Sequence, residues 1–465
     1  MFALINFSYL AAAVCFILGI KGMTRPSTAV RGNQIAAVGM LIAVVAALLH
    51  QQIVSYPTII AGMLVGGTIG VWLAKRIAMT QMPELVASLN GIGGAASVTV
   101  AASTWLIALT ADNLGTTGWA VAILVSIVIG SVTLAGSLVA VLKLHGSIGD
   151  SAKNRTWQLV ALTTLVAVIV GGGLFVNGTG AQPLVLAALV GLCLLMGVAL
   201  VQPIGGADMP VVVALLNAYS GLAGAATGFV LDNQGLIITG SLVGASGLIL
   251  TAVMCKAMNR SLPNVLFGGV FGQAGSGSQA RDEGDFYAGK VKYATADELA
   301  LLLDSARKVV MVPGYGLAVA QAQHAVKELA SQLESRGASV SYAIHPVAGR
   351  MPGHMNVLLA EAEIPYHQLK DMDAINPELP QADVAIVLGA NDVVNPAAAE
   401  EPSSPIYGMP ILDVHKARTV VVVKRSLSPG FAGIPNSLFI KDNSLMVKGD
   451  AKDVLQATTR AMKDL

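Results

Sequence analysis

Apolar runs long enough to cross a bilayer fill the first 255 residues of the chain, and none follows them. A bilayer-spanning helix needs about 17–25 mostly apolar residues. Nine such runs can be placed, at 3–20, 34–50, 57–74, 83–108, 118–142, 157–177, 183–201, 209–230 and 235–255. Only eight basic and five acidic residues interrupt this half of the sequence. The sequence therefore predicts a membrane domain of about nine helices over residues 1–260.

The loops between these runs differ sharply in charge. Loops 21–33, 75–82 and 143–156 contain all eight basic residues, whereas loops 51–56, 109–117, 178–182 and 231–234 contain none. Lys and Arg are retained on the cytoplasmic side of bacterial membranes. We therefore expect the N-terminus outside, as a retained span, and the part of the chain after residue 260 in the cytoplasm.

A few polar residues lie within the apolar runs, where each must find a partner. Asn90 and Asn217 fall nearly two turns into their spans, and such amides either join helices or line a hydrated path. Ser137 is a further candidate for such a path, and Asp208 stands at a cytoplasmic edge. Glu84 follows Pro83, so its carboxylate fits either a helix N-terminus or a functional site. His, Lys and Arg are absent from the middle of the spans, since His50 falls at the end of its run.

The chain beyond the spans has the pattern of a separate domain. Residues 261–294 are rich in Gly, Ser and charge, which is typical of a linker. Short apolar strands are then predicted at 308–312, 339–344, 384–388 and 419–423, with helical segments between them, including one that runs through Ser335. This alternation predicts a doubly wound, Rossmann-like parallel sheet over residues 295–465.

Glycine-bearing loops follow several of these strands. Gly314-x-Gly316-x-x-Val319 lies between a strand and a helix, where a dinucleotide fingerprint belongs, although its third glycine is missing. Residues 348–353 and 389–392 form similar loops after later strands. Since ligands of such sheets bind at the carboxyl ends of strands, these loops together predict a dinucleotide site.

The choice between NAD and NADP depends on the residues beside the ribose. An NAD site usually has an acid at the end of the second strand, whereas this strand is followed by His345. Lys424, Arg425 and Ser426 follow a later strand and form either a phosphate clamp or a solvated strand end. NADP is therefore favoured. The three cysteines stand in apolar runs without metal-type spacing, and they are interpreted as packing residues.

Several stretches of the chain are specific enough to indicate a family. They are residues 82–87, 204–210, 255–261, 313–316, 345–350, 352–356 and 389–392, which read MPELVA, IGGADMP, CKAMNRS, PGYG, HPVAGR, PGHMN and GAND. On these stretches the whole chain resembles the beta subunit of proton-translocating nicotinamide nucleotide transhydrogenase. The resemblance implies NADP(H) on this chain, NAD(H) on an alpha subunit with a few spans of its own, and hydride transfer coupled to inward proton movement.

The same resemblance implies which residues form the sites. Together with the fingerprint, the NADP(H) contacts are Gly314, Tyr315, Gly316, Val319, Val347, Ala348, Gly349, Arg350, Met351, Pro352, Gly389, Ala390, Asn391, Asp392, Val393, Gly408, Met409, Lys424, Arg425, Ser426, Gly430, Phe431, Asp450 and Ala451. Asn90, Asn217, Asp208 and Ser137 are expected to serve the proton path, and Asp392 to sense protonation beside the nicotinamide.

The resemblance also implies an assembly and a location. We expect a dimer of alpha–beta units in the bacterial inner membrane, with the lipid bilayer as its surroundings, and neither metal nor nucleic acid as a ligand. Two departures from the family are informative. Phe431 stands where many relatives have Tyr, and Asn90 stands where many have a His thought to carry the proton. Either water near Asn90 or a His on the partner's spans then carries the proton.

Two other classes of protein fit parts of the pattern. A transporter gated by a nucleotide-sensing domain would need a filter or broken helix in the spans and an acid after the second strand, and neither is evident. A membrane anchor for a soluble dehydrogenase would leave Asn90, Asn217 and Asp208 tolerant of apolar substitution.

Overall fold

The structure, a computed structural model, describes residues 2–49, 56–111, 115–148, 155–177, 183–267 and 286–465. The described chain forms two compact units, one of residues Met1–Gly205 with Val211–Thr251 and one of Gly206–Pro210 with Ala252–Leu465. The predicted domain boundaries at 260 and 294 stay predictions. Most of the proposed linker, residues 268–285, lies outside the described residues, as does His50.

Nine helices in the described residues are long and apolar enough to cross a membrane, which confirms the predicted membrane architecture. They are α1 (Phe2–Met23), α2 (Pro26–Leu48), α3 (Tyr56–Arg76), α4 (Met82–Thr110), α5 (Thr117–Leu144), α6 (Arg155–Val176), α7 (Pro183–Val201), α8 (Met209–Val230) and α9 (Gln234–Ala257). A short helix, α10 (Leu262–Phe267), follows.

Glycine allows these helices to approach closely. A Cβ built on Gly94 of α4 would lie 2.5 Å from the carbonyl oxygen of Gly130 on α5. A Cβ on Gly197 of α7 would meet the Val132 oxygen at 2.7 Å. Lipid tails are as apolar as leucine, so close packing rather than the hydrophobic effect holds such helices together. The glycines therefore allow the close contacts of α4 with α5 and of α5 with α7.

The second unit contains a six-stranded parallel sheet with the strand order β3-β2-β1-β4-β5-β6. Its strands are β1 (Lys308–Pro313), β2 (Ser339–Ile344), β3 (Leu369–Asp371), β4 (Val384–Leu388), β5 (Thr419–Lys424) and β6 (Ser444–Lys448). The helices of this unit are α11 (Ala296–Asp304), α12 (Tyr315–Val319), α13 (Gln323–Ser335), α14 (His354–Glu361), α15 (Met372–Ile375), α16 (Ala397–Glu400) and α17 (Ala451–Lys463). The order changes direction between β1 and β4, so the predicted doubly wound fold is confirmed.

The central strands are apolar on both faces because helices and loops cover both sides of a parallel sheet. All of β4 is buried, and so are five consecutive residues of β1. The outer strands β3 and β6 were not predicted, since the LKD of β3 is short and polar and β6 is only partly apolar. β6 also pairs with the chain before α11, where the Ala294 amide donates to the Met446 carbonyl at 2.9 Å.

The predicted helix through Ser335 is preceded by a shorter one. α12 ends at Val319, Gln321 has a φ of 48°, and α13 begins at Gln323. The left-handed backbone at Gln321 ends the first helix, since a residue with positive φ cannot continue a right-handed one. The predicted helix through Ser335 is therefore confirmed as α13, whereas the short α12 inside the glycine fingerprint was not predicted.

Candidate functional site

The loops after β1 and β4 meet through their backbones. The Gly314 amide donates to Leu388 at 2.9 Å, and the Gly316 amide donates to Gly389 at 3.0 Å. A Cβ built on Gly314 would lie 2.4 Å from the Ala390 Cα, and Gly389 has a φ of 66°. Only glycine fits such a contact without displacing a strand. The two loops thus form one edge of a cavity of about 490 Å³.

Much of the predicted cofactor set lines this cavity. The lining residues that were predicted are Gly314, Tyr315, Gly316, Val347, Ala348, Gly349, Gly389, Ala390, Asn391, Asp392, Val393, Met409, Lys424, Gly430 and Phe431. They come from the segments that follow β1, β2 and β4, from the loop between α16 and β5, and from the end of β5 with the loop after it. The structure therefore brings together residues that are more than a hundred positions apart in the sequence.

Other predicted residues stand outside the cavity wall in the described structure: Val319, Arg350, Met351, Pro352, Gly408, Arg425, Ser426, Asp450 and Ala451. Arg350 is nonetheless close, because its guanidinium lies over the ring of Tyr315, 4.6 Å from the centroid. Asp450 is the N-cap of α17, where its carboxylate accepts from the Lys452 amide at 3.0 Å. Arg425 and Ser426 are exposed just past β5. Their roles as cofactor contacts stay predictions.

Six residues of the cavity wall were missed by the loop patterns: Pro210, Met258, Arg260, Pro405, Ile406 and Ala432. Pro429, also on the wall, falls within the range 424–431 in which the family resemblance implies cofactor contacts. Arg260 stands in the family-specific stretch 255–261, which was a usable signal. Met258 stands in the same stretch and Pro210 in the stretch 204–210, whereas Pro405, Ile406 and Ala432 are apolar residues that no local pattern distinguishes from packing residues.

Lys424 brings a cation to the cavity from the end of β5. Its ammonium lies 5.4 Å from the centroid of the Phe439 ring and also donates to the Ser428 carbonyl. These contacts hold the ammonium group beside Phe439 and Ser428 at the end of β5. A lysine so placed can bind a phosphate group of a ligand.

Asp392 presents a buried carboxyl group at the same cavity. Its Oδ2 accepts from the Ala432 amide at 3.0 Å, whereas Oδ1 is buried and has no hydrogen-bond partner among the described residues. Burial raises the pKa of Asp392, against the opposing effects of the Ala432 amide and Lys424. A carboxyl group with a raised pKa can gain or lose a proton nearer neutral pH than an exposed one can.

His345 holds the loop after β2 in place. Its Nε2 donates to the Pro410 carbonyl at 2.8 Å, and its Nδ1 accepts from the Val347 amide at 3.3 Å. The second bond requires a neutral ring, and burial lowers the pKa of His345 to about 4. An imidazole therefore stands where a typical NAD site has an acid.

The polar residues of the spans are divided between the two units. In the first, the Asn90 side chain is buried and donates to the Val213 carbonyl of α8 at 3.3 Å. Val213 stands four residues before Asn217, one helical turn away. Ser137 packs against the same part of α4, because a Cβ on Gly91 would lie 3.0 Å from the Ser137 Cβ.

Asp208 belongs to the second unit, where it forms an ion pair. Both of its carboxylate oxygens accept from Nη1 of Arg260, at 2.7 and 3.0 Å. Burial raises the pKa of Asp208, and the Arg260 guanidinium opposes that rise. Glu84 of the first unit lies 3.4 Å from Nδ1 of His145, in addition to its place in the first turn of α4.

A metal-binding role has no support in the described residues, where no three His, Cys, Asp or Glu side chains are grouped to hold an ion. The described cysteines are Cys15, Cys193 and Cys255, and none of them forms a disulfide.

The sequence matches a family model, NAD(P) transhydrogenase beta subunit, over residues 5–461. It is also similar to NAD(P) transhydrogenase subunit beta from Rhodospirillum rubrum, with 45% identity over 460 residues that cover 98% of each chain. The same protein from a further strain of that organism matches equally well. Both halves of the chain, spans and sheet, are included in these matches.

Proposed function

We propose that this chain, which belongs to the NAD(P) transhydrogenase beta subunit family, binds NADP(H) in the strand-end cavity and exchanges hydride with NAD(H) on an alpha subunit. The exchange is coupled to inward movement of protons through the spans. The observation that carries the proposal is the backbone contact of Gly314 and Gly389 beside Lys424, at the point where the strand order reverses. Dinucleotides bind at this position in open parallel sheets.

The residues of the cavity fit a dinucleotide phosphate. Glycine at positions 314, 389 and 430 lets the surrounding loops come together, because a Cβ built at any of them would lie 2.4–2.5 Å from a neighbouring protein atom. The loops therefore converge at the strand ends, where the pyrophosphate of a dinucleotide would bind. Lys424 supplies a positive charge, and the absence of an acid after β2 removes the repulsion that a 2′-phosphate would otherwise meet. When bound, the nicotinamide supplies the hydride chemistry.

The chain's own residues would position the cofactor and handle the proton. Apolar wall residues such as Ile406, Met409 and Phe431 exclude water from the cavity. Asp392 holds a proton at Oδ1 or releases it, according to the charge of the bound nicotinamide. A charge change at the cofactor would thereby alter a protonation state, which is the elementary requirement for coupling hydride transfer to proton movement.

The proposed location and assembly rest on charge and on family membership. The basic loops favour an N-terminus outside the bacterial inner membrane and a cytoplasmic nucleotide domain. The alpha subunit would carry NAD(H) and some spans, and two alpha–beta units would form the dimer. The chain alone should therefore bind NADP(H) but reduce no second substrate.

The nucleotide assignment is tested with Lys424→Ala and Arg425→Ala, measured by calorimetry on the purified complex. We expect each variant to weaken NADP(H) binding by roughly 1.5–3 kcal/mol if the cation bonds the 2′-phosphate, with little effect on NAD(H). Lys416→Ala is the matched control, because Lys416 pairs with Asp413 away from the cavity. Equal weakening of both nucleotides would contradict the assignment of the phosphate to this pair.

The coupling assignment is tested with Asn217→Leu in sealed membrane vesicles that also contain the alpha subunit. We expect proton pumping to be lost and NADPH-to-NAD hydride transfer to slow, because an apolar side chain cannot order water beside Asn90. Thr163→Val is the control, since Thr163 donates only within its own helix, to Leu159 at 2.9 Å and Val160 at 3.1 Å. Normal pumping in both Asn217→Leu and Asn90→Leu would favour a role in helix packing instead.

A further inference from the structure

The turn after α9 and one loop of the cavity wall are joined by a single side-chain amide. Nδ2 of Asn259 donates to the carbonyl oxygen of Tyr407 at 2.7 Å. Met258 and Arg260, on either side of Asn259, line the cavity, as do Ile406 and Met409 in the loop that contains Tyr407. The amide therefore links two walls of one cavity. We call residues 404–409 the lid loop.

The backbone on both sides of this bond has an unusual conformation. Asn259 has a φ of 50° and Gly408 has a φ of 79°. Asn tolerates the left-handed region better than most residues with a side chain, and Gly adopts it freely. A Cβ on Gly408 would lie 2.7 Å from Nδ2 of Asn259, so any larger residue there would displace the amide. Both positions thus suit the bond between them.

The lid loop is also connected to Asp392. Ile406 and Met409 form a small hydrophobic cluster with Ala398, Ile411 and Ile434, against which Ala432 packs. The backbone amide of Ala432 in turn donates to Oδ2 of Asp392 at 3.0 Å. A change at the Asp392 carboxylate that shifts Ala432 would therefore also move the lid-loop residues that are in the same hydrophobic cluster.

The far end of the lid loop is anchored independently of Asn259. The Pro410 carbonyl, just after the loop, accepts from His345, and the next carbonyl, Ile411, accepts from Asn376 at 3.0 Å. Because these partners are buried or partly buried beside the sheet, that end is fixed. Beside Tyr407, the Gly408 amide donates to the Ala398 carbonyl at 2.8 Å, so movement of the lid loop relative to the turn would act on the exposed hydrogen bond between Asn259 and Tyr407.

The turn that contains Asn259 is also connected to two membrane helices. Asn259 follows α9, which ends at Ala257, and Arg260 holds Asp208, the residue before α8. Pro210, the second residue of α8, also lines the cavity. Covalent bonds and one ion pair therefore connect the Asn259 turn to the ends of α8 and α9.

We propose that Asn259 is a positioning residue that couples the lid loop of the NADP(H) cavity to the Asp208–Arg260 pair through its hydrogen bond to Tyr407. This rests on the function proposed above. When the contacts around Asp392 change, the lid loop shifts, and the Asn259 amide carries that shift to the turn joined to α8 and α9. An exposed neutral hydrogen bond is weak enough to break and re-form in each cycle.

The test uses the complete complex with its alpha subunit in sealed vesicles and compares Asn259→Gly with Asn259→Asp. Glycine keeps the left-handed backbone and removes the amide, whereas aspartate keeps the shape and replaces the donor with an acceptor. Asn264→Ala is the matched control, an exposed amide five residues further along the chain. Two readouts are needed: the shift in NADP+ affinity when a proton gradient is imposed, and hydride exchange between NADH and an oxidised NAD analogue through bound NADP(H).

We expect both variants to reduce the gradient-induced shift in NADP+ affinity about 3- to 10-fold, the range that loss of one exposed hydrogen bond allows. Hydride exchange that needs no release of NADP(H) should keep a rate within about twofold of that of the unaltered complex. A twofold change in rate is smaller than the loss of one hydrogen bond would cause. A gradient response that is unchanged in both variants would overturn the proposal. So would equal loss of both readouts, which would indicate a general structural role.

The same assays separate this proposal from the function on which it rests. If the unaltered complex neither exchanges hydride nor responds to the gradient, the proposed function is wrong. If the unaltered complex does both and the variants behave like Asn264→Ala, only the role of Asn259 is wrong.

Discussion

In both units, glycine residues allow two backbone segments to come into direct contact, but the contacts have different consequences. In the spans, Gly94 and Gly130 let α4 and α5 touch, and a Cβ on Gly130 would lie 2.7 Å from the Gly94 oxygen. In the sheet unit, Gly314 and Gly389 let two loops touch at the rim of a cavity. The first contact is itself the packing between helices, whereas the second shapes a site on a sheet that buried strands already stabilise.

Polar side chains show the same contrast. Hydroxyls in the spans often donate to their own helix, as Thr99 does to Ala95 at 3.0 Å and Ser103 does to Thr99 at 2.7 Å. Several buried side chains of the sheet unit instead join segments far apart in sequence, as His345 does with Pro410, although Thr458 and Thr459 donate within their own helix. Where water is absent, a hydroxyl group that donates to its own helix has a hydrogen-bond partner whatever the neighbouring helices do. The few span residues that reach another helix, such as Asn90, are therefore the informative ones.

The largest expected effect comes from filling the loop contact of the sheet unit. Gly314→Ala would place a Cβ within 2.4–2.5 Å of three backbone atoms of Gly389 and Ala390. We expect the free energy of unfolding of this unit to fall by about 3 kcal/mol or more, with loss of NADP(H) binding. Denaturant titration and calorimetry measure the two effects. Gly353→Ala is the comparison: its φ of 69° strains an alanine but no atom lies within 4 Å of the built Cβ, whereas Gly314 has an unstrained φ of −120°. A loss at Gly314 no larger than that at Gly353 would contradict a large effect of crowding.

A second prediction concerns pH and applies only to the sheet unit, where buried polar groups titrate. Burial lowers the pKa of His345 from 6.5 to about 4, so its contribution to stability is complete above pH 6.5 and is lost as the pH falls through about 4. That contribution is at most about 3 kcal/mol. His345→Gln keeps a donor and an acceptor but does not titrate. We expect the fall in thermal midpoint between pH 6.5 and 4 to be smaller in this variant.

The comparison with the unaltered protein at each pH cancels the common background of carboxylates such as Asp383, whose pKa is lowered chiefly by the amides of Lys308 and Arg307. Parallel curves for the two proteins would show that His345 does not titrate in this range.

The third prediction addresses the spans and should give the smallest effect. Gly94→Ala would press a Cβ against the Gly130 oxygen at 2.5 Å, so α4 and α5 must separate. We expect a loss of about 2 kcal/mol in detergent unfolding measurements, since helices in lipid can shift more easily than strands in a sheet. Gly67→Ala on α3 is the control, because nothing lies within 4 Å of its built Cβ. A loss of stability at Gly67 as large as that at Gly94 would contradict the explanation that Gly94→Ala destabilises the protein by separating α4 from α5.

Much of the fold could be predicted because it depends on local patterns. The predicted strands at 308–312, 339–344, 384–388 and 419–423 agree with β1, β2, β4 and β5 to within one residue. β3 and β6 were missed because strands at the outside of a sheet are not buried on both faces and have no continuous apolar run. The short α12 was missed because residues 315–319 belong to the glycine fingerprint and were interpreted as part of a loop.

The candidate site was only partly visible in the sequence. Glycine loops after strands indicated Gly314 and Gly389, since a parallel sheet places all strand ends at one edge. The lid loop carried no such signal, because Pro405 and Ile406 are ordinary apolar residues until the chain folds. Asn259 was likewise not selected, since its value lies in the single carbonyl it reaches, that of Tyr407, almost 150 positions away.

By itself, the sequence determined which part of the chain lies in lipid, which part forms a parallel sheet and where the glycine loops stand. Those properties follow from the length and periodicity of apolar runs, which any short window of residues reveals. Only the tertiary structure decided which glycines touch, which cation faces the cavity and which turn contacts the lid loop. These are pairings between distant segments, and their specificity resides in shape and hydrogen-bond geometry that no single segment contains.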